Sequence, residues 1–200
     1  MKGYTKPLLI IFFVLLADQV LKTWIKTSMY MGQEFKILGD WFIIHFTENN
    51  GMAFGLKFGG EFGKLALSLF RIAAVAGIGY GLHYLIQRKY HRGLISSVAL
   101  IFAGALGNII DSVFYGKIYD YAGWFHGRVV DMFYFPIFQG NFPSWVPIWG
   151  GEDFIFFRPV FNIADAAISI GVVIILIFQK TYFKEDVREE ISINSEVVEE

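Results

Sequence analysis

Cysteine is absent from this 200-residue chain. Disulfides, thiolate metal sites and cysteine nucleophiles are therefore all excluded. An excess of either charge is missing too: 17 lysines and arginines face 18 acidic residues, for a net charge of -1. No basic field is available for nucleic acid. His45, His83, His91 and His126 show no metal-ligand spacing, so neither a metal nor a cofactor is expected. Ser68, Ser96, Ser97 and Ser169 lack a histidine or lysine partner at matching depth, which argues against a serine nucleophile. Proline is scarce, and 4 of the 5 residues fall between positions 116 and 159.

What the chain has in abundance is apolar surface. It is 55% hydrophobic and 18% aromatic, with a mean hydropathy of +0.49, beyond the needs of a soluble domain of this length. A membrane crossing takes about 20 mostly apolar residues. Four windows qualify, at about 8–25, 65–86, 94–115 and 160–179. The first follows Lys2 and Lys6 as a signal peptide would, but no small-residue cleavage site follows it. Asp18, Gln19 and Lys22 interrupt the run, and it reads as a retained helix.

The linker between the second and third windows carries Arg88, Lys89, His91 and Arg92. Short basic loops stay cytoplasmic. Lys2 and Lys6 fall on the same side of a four-span chain, as do Lys180 and Lys184, so both termini are expected inside. Two longer segments then face outward. Positions 35–47 are rich in β-branched and aromatic residues and precede Asn49-Asn50-Gly51, which predicts a small β-ribbon with a turn. Positions 116–159 hold Trp124, Trp145 and Trp149 among many other aromatics, which favour the membrane interface. The fold expected is thus a mainly α membrane protein with four transmembrane helices, a small β element outside and an aromatic outer segment. Residues 185–200 carry seven acidic side chains against one arginine. That tail is expected to be disordered, leaving 1–184 as a single membrane-embedded domain.

Charged and amide side chains inside spans are costly and usually functional. Here they gather at one expected depth, near the outer face. Asp18 and Lys22 share a helical face at i, i+4; Asn108 and Asp111, and Asn162 and Asp165, do so at i, i+3. Asp131 sits in Gly127-Arg-Val-Val-Asp131, an apolar stretch too short to span. Two carboxyls from different segments, held close in a low-dielectric site, share a proton. One then activates a water as base while the other protonates a leaving amide nitrogen. Read from spacing alone, the same aspartates also suit proton transport, and a subunit that merely packs against a partner is a further alternative. A relay needs polar residues through the whole bundle, whereas the inner halves are apolar apart from Ser96 and Ser97.

At these residues the sequence resembles the bacterial lipoprotein signal peptidases (signal peptidase II). The matching pieces are Ala17-Asp-Gln-Val-Leu-Lys22, Glu48-Asn-Asn-Gly-Met-Ala-Phe54, Gly104-Ala-Leu-Gly-Asn-Ile-Ile-Asp111, Gly127-Arg-Val-Val-Asp131 and Phe161-Asn-Ile-Ala-Asp165, in the family's order. The resemblance covers about residues 8–180 and implies a membrane aspartyl protease with four helices and an outward β-cradle. It places the catalytic pair on Asp131 and Asp165. Substrate-binding or supporting roles fall on Asp18, Lys22, Asn49, Asn108, Asp111 and Asn162. It implies prolipoprotein substrates cut on the amino side of a diacylglyceryl-modified cysteine, contact with membrane lipids, and inhibition by globomycin-type cyclic peptides. It also implies residence in the inner membrane. The Gly-x-Gly-Asp motif of another membrane aspartyl protease class is absent.

Two departures from the family stand out. Ser112 occupies the place of a usual arginine, for which Arg128 or Arg158 is a candidate substitute. Extra residues near 117–125 and 139–157 are expected to enlarge the outer lid. Asp111 itself is expected to orient Asn108 or a loop.

Overall fold

The computed structural model describes residues 3–49, 60–148, 150–156 and 159–183. Helix α1 spans Thr5–Ser28, α2 Gly60–Gln87, α3 Arg92–Ile110 and α5 Ile163–Tyr182. Between the last two, α3 passes into a π-helical turn at Asp111–Tyr115 and a final short helix, α4, at Gly116–Ile118. The four expected spans are all present, and each helix is long and apolar enough to cross a membrane. The 20 residues of α5 make a rod of about 30 Å, the thickness of a bilayer's hydrocarbon core. Their outward faces are apolar: Phe12, Phe13, Phe70 and Leu176 all stand more than half exposed. In water such surface would be a liability; against lipid tails it costs nothing.

The chain divides into two compact units. Among the described residues, the first joins 3–17, 66–109 and 163–183. Its core is Leu82, Ile86, Ile95 and Ala99, with Tyr4, Ile10 and Phe102 packed against it. Between α3 and α5 the helices meet through small residues. A Cβ on Gly104 would lie 2.2 Å from the carbonyl oxygen of Ala164, and one on Gly171 would lie 2.7 Å from that of Ser97. Ala99, Ala103 and Ala164 are fully buried. Within lipid, where apolar burial does not drive helices together, such small residues let backbones approach closely enough for packing to hold them.

The second unit joins residues 18–65 and 110–162. Strand β1 (Glu34–Leu38) pairs antiparallel with β2 (Phe42–Asn49), β2 with β3 (Val129–Tyr134), and β3 with β6 (Val160–Phe161). A separate ribbon pairs β4 (Phe138–Asn141) with β5 (Asp153–Phe156). The expected ribbon is thus real but larger, and β1 and β2 are joined by a reversal that was not read from the sequence. The chain turns between Leu38 and Phe42, where Gly39 takes a φ of +55°, a conformation glycine adopts without steric cost. Asn49 instead closes β2; Asn50 and Gly51 lie outside the described residues. The aromatic outer segment supplies three of the six strands found among the described residues. The sheet packs on the end of α1 around Ile25, Met29, Phe46, Tyr115, Val130 and Met132. Burial along β3 explains why a strand was hidden there: Val129 to Met132 are all buried, so the apolar-polar rhythm of a half-exposed strand is lost. Trp149, Arg158 and the acidic tail lie outside the described residues.

Candidate active site

In the second unit, one lysine organises a buried ionic cluster. Lys22 Nζ lies 2.9 Å from Asp18 and 2.8 Å from Asp111. All three side chains are at most 1% exposed. The i, i+4 pairing of Asp18 and Lys22 read from the sequence is therefore present, and Asp111 is its third member. Gln19 ties the group together. Its amide nitrogen donates to Asp18 at 3.1 Å and to Asp111 at 3.0 Å, while its oxygen accepts from the Tyr115 hydroxyl at 3.2 Å. One cation among two carboxylates would leave an uncompensated charge without these added donors.

Asp111 does more than neutralise Lys22. It accepts a hydrogen bond from the backbone N–H of Val130 at 3.2 Å. The carbonyl of the same residue accepts from Asn162 Nδ2 at 3.2 Å. Val130 is thus gripped at both of its backbone groups, and the next residue is Asp131. The Asn162 amide also donates to Asp131 Oδ1 at 2.7 Å. Asp131 is 4% exposed and Asn162 fully buried. The carboxyl of Asp131 is held by a strand, an amide and an ionic cluster. Such support fixes a side chain within the narrow tolerance chemistry requires.

The π turn makes this arrangement possible. It begins at Asp111, and the carbonyls of Ser112 and Val113 accept from the N–H groups of Gly127 and Phe125 at 2.9 and 3.0 Å. Strand β3 starts two residues after Gly127, where a Cβ would fall 1.9 Å from the Asp111 carbonyl oxygen. Only glycine lets the two backbones approach so closely. One extra residue in a helical turn commonly marks a functional position.

In the first unit, Asn108 Nδ2 donates to Asp165 Oδ1 at 2.8 Å. Asp165 lies in the first turn of α5, where the helix dipole favours a negative charge. Asn108 and Asp111, expected to act on one face, serve different partners: the first reaches Asp165, the second Lys22 and β3. Asn49 stands opposite Val129 in the sheet register and is exposed. Ser112 is buried. Arg128, weighed as a substitute for the usual arginine, pairs with Glu48 at 3.2 Å.

Several residues of this region were not singled out from the sequence. The Glu48 side chain is 4% exposed and is bound by both Lys26 and Arg128. Lys26 also lies over the Tyr121 ring at 4.5 Å, and the Tyr121 hydroxyl accepts from the Arg128 N–H at 2.7 Å. Burial pushes the Tyr121 phenol upward, against the opposing pull of Arg128, so it is a neutral hydroxyl throughout the physiological range. A signal for Lys26 was present: Asp18, Lys22 and Lys26 repeat every four residues along one face of α1.

Four membrane-length helices, a small antiparallel sheet and buried carboxylates held by amide donors define a polytopic membrane enzyme. The sequence matches the family described as Signal peptidase (SPase) II over residues 10–181. It is 50% identical over 184 residues to the lipoprotein signal peptidase of Porphyromonas gingivalis, covering 84% of this chain and 80% of that one. It is 39% identical to that of Amoebophilus asiaticus over 181 residues, 86% and 76% of the two chains. Its backbone is similar to a solved bacterial membrane enzyme with a TM-score of 0.62 at 30% identity, over 88% of each chain. The chain belongs to the signal peptidase II family and is a protease.

Proposed function

We propose that this protein removes the signal peptide from diacylglyceryl-modified prolipoproteins in the bacterial inner membrane, cutting on the amino side of the lipidated cysteine. Asp131 and Asp165 form the catalytic pair. The observation that carries this reading is Asn162, which donates to Asp131 and stands three residues before Asp165 in the chain. Each aspartate has its own asparagine donor, Asn162 for Asp131 and Asn108 for Asp165. An amide N–H donated to one oxygen fixes the orientation of the whole planar carboxyl group.

The two carboxyls share one proton. The ionised one takes a proton from water as it attacks the scissile carbonyl carbon, and an oxyanion forms. The protonated one then gives its proton to the amide nitrogen, and the carbon–nitrogen bond breaks. A new carboxylate ends the signal peptide and a free amine begins the lipoprotein. No covalent intermediate arises. Asp18, Lys22 and Asp111 fix β3, and Asn49 contacts the substrate backbone. Both termini face the cytoplasm and the aspartates lie near the outer face. The acyl chains of the substrate stay in lipid, and globomycin-type peptides occupy the same site.

Purified protein should cleave a diacylglyceryl-modified precursor at least about 100-fold faster than the same precursor without lipid, because anchoring brings the bond to the membrane-level site. Rates are compared by mass spectrometry of the released signal peptide. Equal cleavage of both precursors would sink the lipid-dependent reading.

A further inference from the structure

A cavity of about 440 Å³ opens in the first unit, at the end where α1 begins and α2 connects to α3. Its floor is apolar, formed by Pro7, Ile86 and Ile95, all buried. Its rim carries Lys6, Lys89 and Arg92, all exposed, and no carboxylate lines it among the described residues. Among the described residues the ion pairs involve other cations: Lys22, Lys26, Lys36, His45 and Arg128. Lys89 holds a φ of 56°, in the left-handed region where a turn favours glycine. The α2–α3 turn therefore fixes a lysine at the opening where a glycine would fit more easily. Three like charges around one mouth repel one another, and an anion seated among them removes that repulsion.

We propose that this cavity binds a phosphodiester, the headgroup of an anionic membrane phospholipid. A membrane lipid combines the two chemistries present: an anionic phosphate for the rim and apolar glycerol esters for the floor. The opening lies where α1 starts its membrane span, at headgroup level. Beyond the rim, Leu8, Leu9, Phe12 and Phe13 of α1 are about half exposed or more and offer apolar surface to acyl chains. Basic pockets at the ends of transmembrane helices favour anionic lipid in this way. The proposal rests on the topology above, which puts this end in the cytoplasmic leaflet, and not on the aspartate pair.

The test uses native mass spectrometry of the full chain in neutral detergent, offered equal amounts of phosphatidylglycerol and phosphatidylcholine. Each nearby cation is worth roughly a factor of five toward an anionic lipid. The wild type is therefore expected to retain phosphatidylglycerol at least about tenfold more tightly than phosphatidylcholine. The variant Lys6→Gln/Lys89→Gln/Arg92→Gln is expected to lose that preference while cleaving lipidated precursor in mixed detergent as the wild type does. Where the triple variant does not fold, Lys89→Gln alone is expected to weaken the preference by roughly fivefold. Equal retention of both lipids by the wild type would overturn the proposal, as would a preference that survives the three changes. Displacement of the lipid by equimolar inorganic phosphate would identify a free-phosphate site and overturn the lipid assignment. A preference that emerges only after residues 184–200 are removed would assign the cavity to the acidic tail.

Discussion

Asp131→Asn and Asp165→Asn should each lower kcat for a lipidated precursor by roughly 10²–10⁴-fold, the range over which positioned acid–base groups contribute. Asparagine keeps the size and the acceptor oxygen of each side chain, so Asn162 and Asn108 retain a partner. What disappears is the ability to take or give a proton. The two losses should not add, because removing either member disables the same transfer. A double variant should therefore be about as slow as either single one. Binding should survive, so KM for the precursor is expected to change little compared with kcat. A variant that keeps more than about a tenth of the wild-type kcat would remove that residue from the pair.

Lys22→Met should have the next largest effect, and on stability first. The ammonium is fully buried between Asp18 and Asp111. Methionine fills a similar volume but leaves two buried carboxylates without a cation. Breaking a buried pair in this way costs about 3–5 kcal/mol. Thermal unfolding of the purified protein in detergent reads that loss as a lower Tm. Activity should fall with it, since Asp111 holds the Val130 N–H beside Asp131. Lys22→Met combined with Asp18→Leu and Asp111→Asn should recover part of the Tm, because removing the whole cluster is less costly than orphaning its acids. An unchanged Tm for Lys22→Met would show that the cluster contributes nothing to the fold.

The spans were legible because a bilayer imposes a length and a composition that few other structures satisfy. Asp18, Lys22 and Asp111 stood out for the same reason: a charge inside an apolar run has to be compensated, and here it is. The partners of those charges were harder to read. Asp111 and Asn108 lie three residues apart, which suggested one shared task, but the π turn beginning at Asp111 sends it to Lys22 and β3. No local pattern announces a π turn, which here packs against Gly127 from later in the chain. Strand β3 was hidden by its burial on both faces. The reversal between β1 and β2 was not read from the sequence, because Asn49-Asn50-Gly51 carries a stronger turn signature than Gly39-Asp40, although Gly39 supplies the positive φ. Glu48 drew no attention as one acidic residue in a strand; its importance comes from Lys26 and Arg128, which reach it from distant parts of the sequence.

Hydrolysis of one bond, next to a lipidated cysteine, is read from the masses of the products formed when the purified protein acts on a diacylglyceryl-modified precursor in H₂¹⁸O. The expected result is a signal peptide carrying one ¹⁸O in its new carboxylate and a lipoprotein whose first residue is the lipidated cysteine, unlabelled. Intact precursor, or fragments from a bond elsewhere in the substrate, would contradict the account.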